Sequence, residues 1–78
     1  MRIFSLGLTK VQLPVLKGVY PRSEIVEIEQ YQDVLALCAD IVILNTDNVS
    51  EEIVDTIKEY EKETADVDNT KYIYIRNS

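Results

Sequence analysis

Apolar and polar positions along this chain switch between a period of two and a period near 3.6, and the switches mark out seven candidate elements. "MRIFSLGL" gathers Ile3, Phe4, Leu6 and Leu8 into a short apolar run broken at Gly7, a first strand. "SEIVEIEQ" is a second, with Ile25, Val26 and Ile28 apolar and Glu27 and Glu29 expected outward or at its exposed end. In "DIVILNT", Ile41 through Leu44 are consecutive apolar residues with polar neighbours on both sides. A strand covered on both faces has this pattern, the usual state of an interior parallel strand. "KYIYIRN" closes the set, with Tyr72 and Tyr74 alternating with Ile73 and Ile75.

Helical spacing appears between the strands. "YQDVLALCA" places Tyr31, Val34, Leu35 and Cys38 at i, i+3, i+4 and i+7, which predicts a helix with Cys38 in the core. "VSEEIVDTIKEYEKET", residues 49–64, lines Ile53, Ile57 and Tyr60 along one face with Val54 beside them. Glu51 and Glu52 fall in its first turn, where the helix dipole favours acids. Asp55–Lys58 and Glu59–Lys62 are spaced for ion pairs along the surface. Residues 9–22 allow two readings. Val11, Leu13 and Val15 alternate as in a strand, but Pro14 would remove a ladder bond. Alternatively Pro14 sits near the start of a short helix that runs to about Val19, with Gly18 near its end. The helix is preferred because it completes a βαβ pattern. "DVDNT" (66–70) is a turn. It imitates the start of a calcium loop, but Lys71 and Asn77 stand where that loop needs glycine and glutamate.

The order strand, helix, strand, helix, strand, helix, strand predicts one α/β domain over residues 1–78. The expected architecture is a small parallel (or mostly parallel) four-stranded sheet with flanking helices, an incomplete doubly wound, receiver- or flavodoxin-like arrangement. In such sheets ligands bind beyond the carboxyl ends of the strands. Asn45, Thr46, Asp47 and Asn48 lie at that edge and are the candidate ligand-binding residues, with free backbone N–H groups suited to an anion. Capping is the competing explanation. Asn48 or Ser50 would serve as N-cap, Asn48 with Glu51 has capping-box spacing, and Asp47 would form a turn. Asn45 and Thr46 lie too early to cap.

With "DIVILN" as its central strand, the chain resembles the first two-thirds of a receiver domain from two-component signalling. The resemblance implies a doubly wound fold and a phosphoryl group accepted by an aspartate at the end of the third strand, beside a metal held by acids after the first. The position matching the acceptor is Asn45, which cannot be phosphorylated. Gly7, Leu8 and Thr9 occupy the place of the acidic pair, and Arg76-Asn77 ends the fourth strand without the expected hydroxyl. The resemblance therefore implies the scaffold without its chemistry.

Composition narrows the remaining classes. With no histidine and only Cys38, an internal disulfide is excluded and a zinc site would rest on carboxylates alone. A catalytic cysteine would lack its base. Gly7 and Gly18 stand too far apart for a phosphate loop, no catalytic residue is marked out, and no metal or other cofactor is implied. Net charge is −6, and it is segregated. Residues 1–22 hold Arg2, Lys10, Lys17 and Arg22 and no acid, while the remainder carries all fourteen acids. That balance disfavours direct nucleic-acid binding and favours a basic partner. No apolar run approaches the length of a membrane span or signal, so a cytoplasmic protein is expected. A 78-residue chain has a thin core, which makes self-association or a partner protein the expected support.

The sequence is thus read as a non-catalytic protein-interaction or regulatory module, a homo-oligomer or the binder of a partner protein. Tyr72 and Tyr74 on the last strand and Glu52, Asp55 and Glu59 on the acidic helix are its candidate interface. The alternatives are an enzyme-like domain binding a nucleotide or phosphorylated ligand at Asn45–Asn48, and an acidic inhibitor covering a basic nucleic-acid-binding surface.

Overall fold

The computed structural model describes residues 1–77 and contains four strands and three helices in strict alternation. The elements are β1 (Arg2–Leu6), α1 (Gln12–Val19), β2 (Glu24–Ile28), α2 (Gln32–Ala36), β3 (Ile41–Asn45), α3 (Glu51–Thr64) and β4 (Lys71–Ile75). All strand pairings are parallel and the order across the sheet is β2-β1-β3-β4. The expected α/β architecture is therefore present, with the sheet parallel throughout. β3, the run of consecutive apolar residues, is buried along its whole length between β1 and β4.

Strand order decides where the helices go. From β1 the chain steps one way to β2, then returns across β1 to β3 and continues outward to β4. Right-handed crossovers place the first connection on one face of the sheet and the next two on the other. Val34 of α2 and Val54 and Ile57 of α3 accordingly share a core with Phe4, Leu6, Ile28, Val42 and Leu44. Leu16 of α1 packs on the opposite face with Ile3, Ile41 and Ile43. Tyr60 Oη donates to Leu35 O (3.1 Å) and ties α3 to α2.

Residues 9–22 form a helix rather than a strand, and a reciprocal clasp starts it. Gln12 N donates to Thr9 Oγ1 (3.1 Å) while Thr9 N donates to Gln12 Oε1 (3.0 Å), a capping box in the turn leading into α1. Pro14 then lies in the first turn, where a missing N–H costs little.

The predicted helix over residues 31–39 is shorter than its spacing suggests. It ends at Ala36, Leu37 is already extended, and Cys38 is exposed instead of buried. Once the helix stops, the i+7 position no longer falls on the stripe of Tyr31, Val34 and Leu35. The surface ion pairs expected along α3 are also not made. The one salt bridge among the described residues joins Arg2 to Glu24 at 3.6 Å, and Lys58 lies over the ring of Tyr74 instead. No described helix is long and apolar enough to cross a membrane.

Candidate functional site

Asn45, Thr46, Asp47 and Asn48 do gather at the carboxyl edge, where the loops after β1 and β3 meet between α1 and α3. Gly7 makes this junction possible. Its φ is +76°, and a Cβ there would stand 2.9 Å from Val49 Cγ2 and 3.3 Å from Asn48 Cβ.

Asn45 is the centre of the cluster and is fully buried. Its Nδ2 donates to Gln12 Oε1 (2.8 Å) and to Asn77 Oδ1 (2.9 Å), and its Oδ1 accepts from Asp47 N (2.9 Å). Gln12 Nε2 in turn donates to Arg76 O (2.9 Å). Thr46 N and Oγ1 both donate to Ile75 O (2.9 and 3.3 Å), and Asn77 N donates to Asp47 Oδ2 (2.9 Å). Asn48 Nδ2 donates to Gly7 O (2.7 Å) and to Asn77 Oδ1 (3.3 Å).

These bonds form a polar clasp joining the ends of β1, β3 and β4 to the start of α1. The four residues satisfy one another and the backbone around them, and no buried side-chain nitrogen or oxygen among the described residues lacks a partner. Capping does not account for them either. Asn48 turns back to Gly7 instead of capping α3 or pairing with Glu51, and Ser50 occupies the N-cap position without a side-chain bond. A cleft of about 310 Å³ opens beside Asn48 and Ser50, lined also by Leu6, Glu29 and Tyr31. Glu29 and the first-turn acids Glu51 and Glu52 give this end of α3 a negative setting that weakens its attraction for an anion.

The interface candidates lie on the same side of the sheet but at different depths. Glu52, Asp55 and Glu59 are exposed on α3. Tyr72 and Tyr74 are half-buried and pack against the α2–α3 core. Tyr74 Oη donates to Glu61 Oε1 (2.7 Å), and Lys58 Nζ stands 5.3 Å from its ring centre. Burial pushes the Tyr72 hydroxyl up to about 12, with the neighbouring charges of Tyr60, Asp68 and Glu61 adding to the effect. Burial raises Tyr74 as well, and its bond to Glu61 raises it further.

Ile73 and Ile75, the residues alternating with the tyrosines, face the other way. With Ile43 they floor an apolar groove of about 290 Å³ alongside α1. Its wall is α1 itself, whose Val11, Val15 and Val19 are 76%, 61% and 62% exposed. These valines recur at i, i+4 and i+8 and form a continuous ridge. The sequence signal for this surface was the valine spacing within residues 11–19, which fits a helix stripe as well as it fits the strand alternation of Val11 and Val15.

At the amino edge, an open depression of about 620 Å³ is lined by Arg2, Arg22, Glu24, Cys38, Asp40 and Asp68, among others. Cys38 has no histidine beside it, since the chain contains none. Asp68 Oδ1 accepts from Thr70 N (3.2 Å) and Thr70 Oγ1 (2.9 Å), so the calcium-like segment is a closed turn before β4. Among the described residues, no group of three or more His, Cys, Asp or Glu side chains is placed to share a metal ion. Comparisons with protein-family models, curated proteins and solved structures find no match to this chain.

Proposed function

We propose that this protein is a non-catalytic interaction module, regulatory in role, that binds a partner protein or a second copy through its α1 face. One observation carries the reading: an exposed valine ridge stands beside an open apolar groove floored by buried Ile43 and half-buried Ile73 and Ile75 on a parallel sheet. Parallel sheets are normally covered on both faces, and contiguous exposed apolar surface marks sites of association. A degenerate receiver-like scaffold is compatible with the strand order, which matches the start of a flavodoxin-like sheet. Asn45, at the place of a phospho-acceptor, is given over to the clasp.

The test compares affinity capture from the native host by wild-type protein, Val15→Asp and Glu52→Lys. Capture or self-association lost in V15D and kept in E52K is the expected result. Equal behaviour of wild type and V15D would overturn the reading. Capture lost in E52K and at high salt would favour the acidic-inhibitor alternative. A rise in melting temperature with nucleotide or inorganic phosphate, abolished in Asn48→Ala, would favour the ligand-binding alternative.

A further inference from the structure

We propose that the clasp around Asn45 is a latch on the binding face. With Arg76 and Asn77 in place it holds α1 folded against the sheet. Drawing those two residues away lets α1 unfold locally and dismantles the valine ridge. This inference rests on the interaction-module reading above and supplies its regulation.

α1 is weakly built. An isolated helix shorter than about 12–15 residues is marginal in water, and α1 has eight, with no acid in its first turn. Glycine inside a helix is unfavourable relative to alanine. A Cβ at Gly18 would meet no atom within 4 Å, so packing does not require this glycine and its effect is to weaken the helix. Tertiary packing adds little. α1 buries only Leu16 of its own residues, whereas α3 buries Val54 and Ile57 and is tied to α2 through Tyr60. A segment with few buried apolar contacts opens without the rest of the domain.

Polar contact between α1 and the sheet runs through one side chain. Among the described residues, Gln12 is the one α1 side chain that hydrogen-bonds a strand or the segment following one. Its Oε1 accepts from Asn45 Nδ2 (2.8 Å) and its Nε2 donates to Arg76 O (2.9 Å). The same Oε1 accepts from Thr9 N (3.0 Å), so the capping box that starts α1 and the clasp share one oxygen.

Arg76 and Asn77 are themselves lightly held. Both are exposed and lie beyond the end of β4. Among the described residues, the hydrogen bonds that hold them run to the side chains of Gln12, Asn45, Asn48 and Asp47.

Asn45 makes the latch two-state. It is fully buried, and its Nδ2 divides its two bonds between Gln12 and Asn77. Withdrawing Asn77 leaves one N–H unpaired at a buried site. A partly satisfied buried network is costlier than a complete one, so the clasp holds or lets go as a unit and Gln12 is released with it. The coupling is reciprocal: whatever grips the α1 face retains Arg76 and Asn77, and whatever pulls on them weakens binding.

The experiment is amide hydrogen exchange by NMR on the full chain, comparing wild type, Asn77→Ala, Gln12→Ala and the double variant, with thermal melts as the check on folding. Asn77 is exposed, so N77A is expected to melt cooperatively. The α1 amides from Leu16 to Tyr20 should exchange roughly tenfold or more faster in N77A and in Q12A, with α3 little changed. Adding N77A to Q12A should speed them no further, because both changes open the same latch. Wild-type exchange of α1 in N77A, equal acceleration of α1 and α3, or effects that multiply in the double variant would each overturn the proposal. These readouts use no partner, so undiminished capture by V15D would overturn the interaction-module reading and leave the latch standing. An N77A chain that frees α1 yet captures as well as wild type overturns the regulatory role.

Discussion

The two faces of the sheet use the same strands and reach different ends. On one, α2 and α3 cover alternate residues of all four strands, and Phe4, Val42, Leu44 and Ile57 are almost completely removed from water. On the other, the eight-residue α1 buries only Leu16 of its own residues, while its valines remain in solvent. Amino-acid hydrophobicity does not separate the faces, since β-branched apolar residues line both. Connection geometry does. Moving from β1 to β2 and then back across the sheet assigns one crossover to one face and two to the other. An apolar strand position is therefore core or binding surface according to a helix that lies elsewhere in the sequence.

The sharpest way to break this comparison is to open a cavity on the closed face. Ile57→Ala removes a side chain with no exposed surface and is expected to cost about 2–5 kcal/mol. Small domains have about 5–15 kcal/mol in total, so urea denaturation should show a large fall in midpoint or a chain unfolded at the outset. Asn45→Ala tests the clasp at the sheet edge. It leaves Asp47 N without its acceptor and removes both bonds from Nδ2, a loss of about 1–3 kcal/mol on the same denaturation curve.

Alkaline pH probes the tyrosines of the closed face. In the unfolded chain a tyrosine loses its proton near pH 10, whereas folded Tyr72 holds it to about 12 and Tyr74 is raised too. The unfolded state thus binds fewer protons in that window, and stability must fall as pH rises through it. Stability should be insensitive to these groups below about pH 10 and decline from there toward 12, with a smaller decline in Tyr72→Phe. The smallest effect is expected on the open face. Val15→Ala, measured at dilutions where the chain is monomeric, should change stability by no more than about 0.5 kcal/mol.

Much of the fold was legible because its signals are local. The apolar run Ile41–Leu44 announced an interior parallel strand, and the spacing of Ile53, Ile57 and Tyr60 announced α3. The helix over residues 12–19 was less plain. Its defining feature, the reciprocal Thr9–Gln12 pairing, is a four-residue motif within a segment whose valines also alternate like a strand. Cys38 was misplaced because helical spacing does not say where a helix stops. The Asn45–Asn48 cluster was found, but its role was not, since Gln12 and Asn77 reach Asn45 from 33 and 32 residues away. Alternation put Tyr72 and Tyr74 on one side of β4 and Ile73 and Ile75 on the other. Which side lies under α3 depends on strand order, and no run of residues encodes that alone.

The claim that one face is closed and the other is an interface is tested most directly by amide NMR spectra recorded through a dilution series. Concentration-dependent shifts are expected along α1 and at Ile43, Ile73 and Ile75, with α3 unmoved. Spectra unchanged both with concentration and on adding host extract, or shifts centred on Glu52, Asp55 and Glu59, would contradict it.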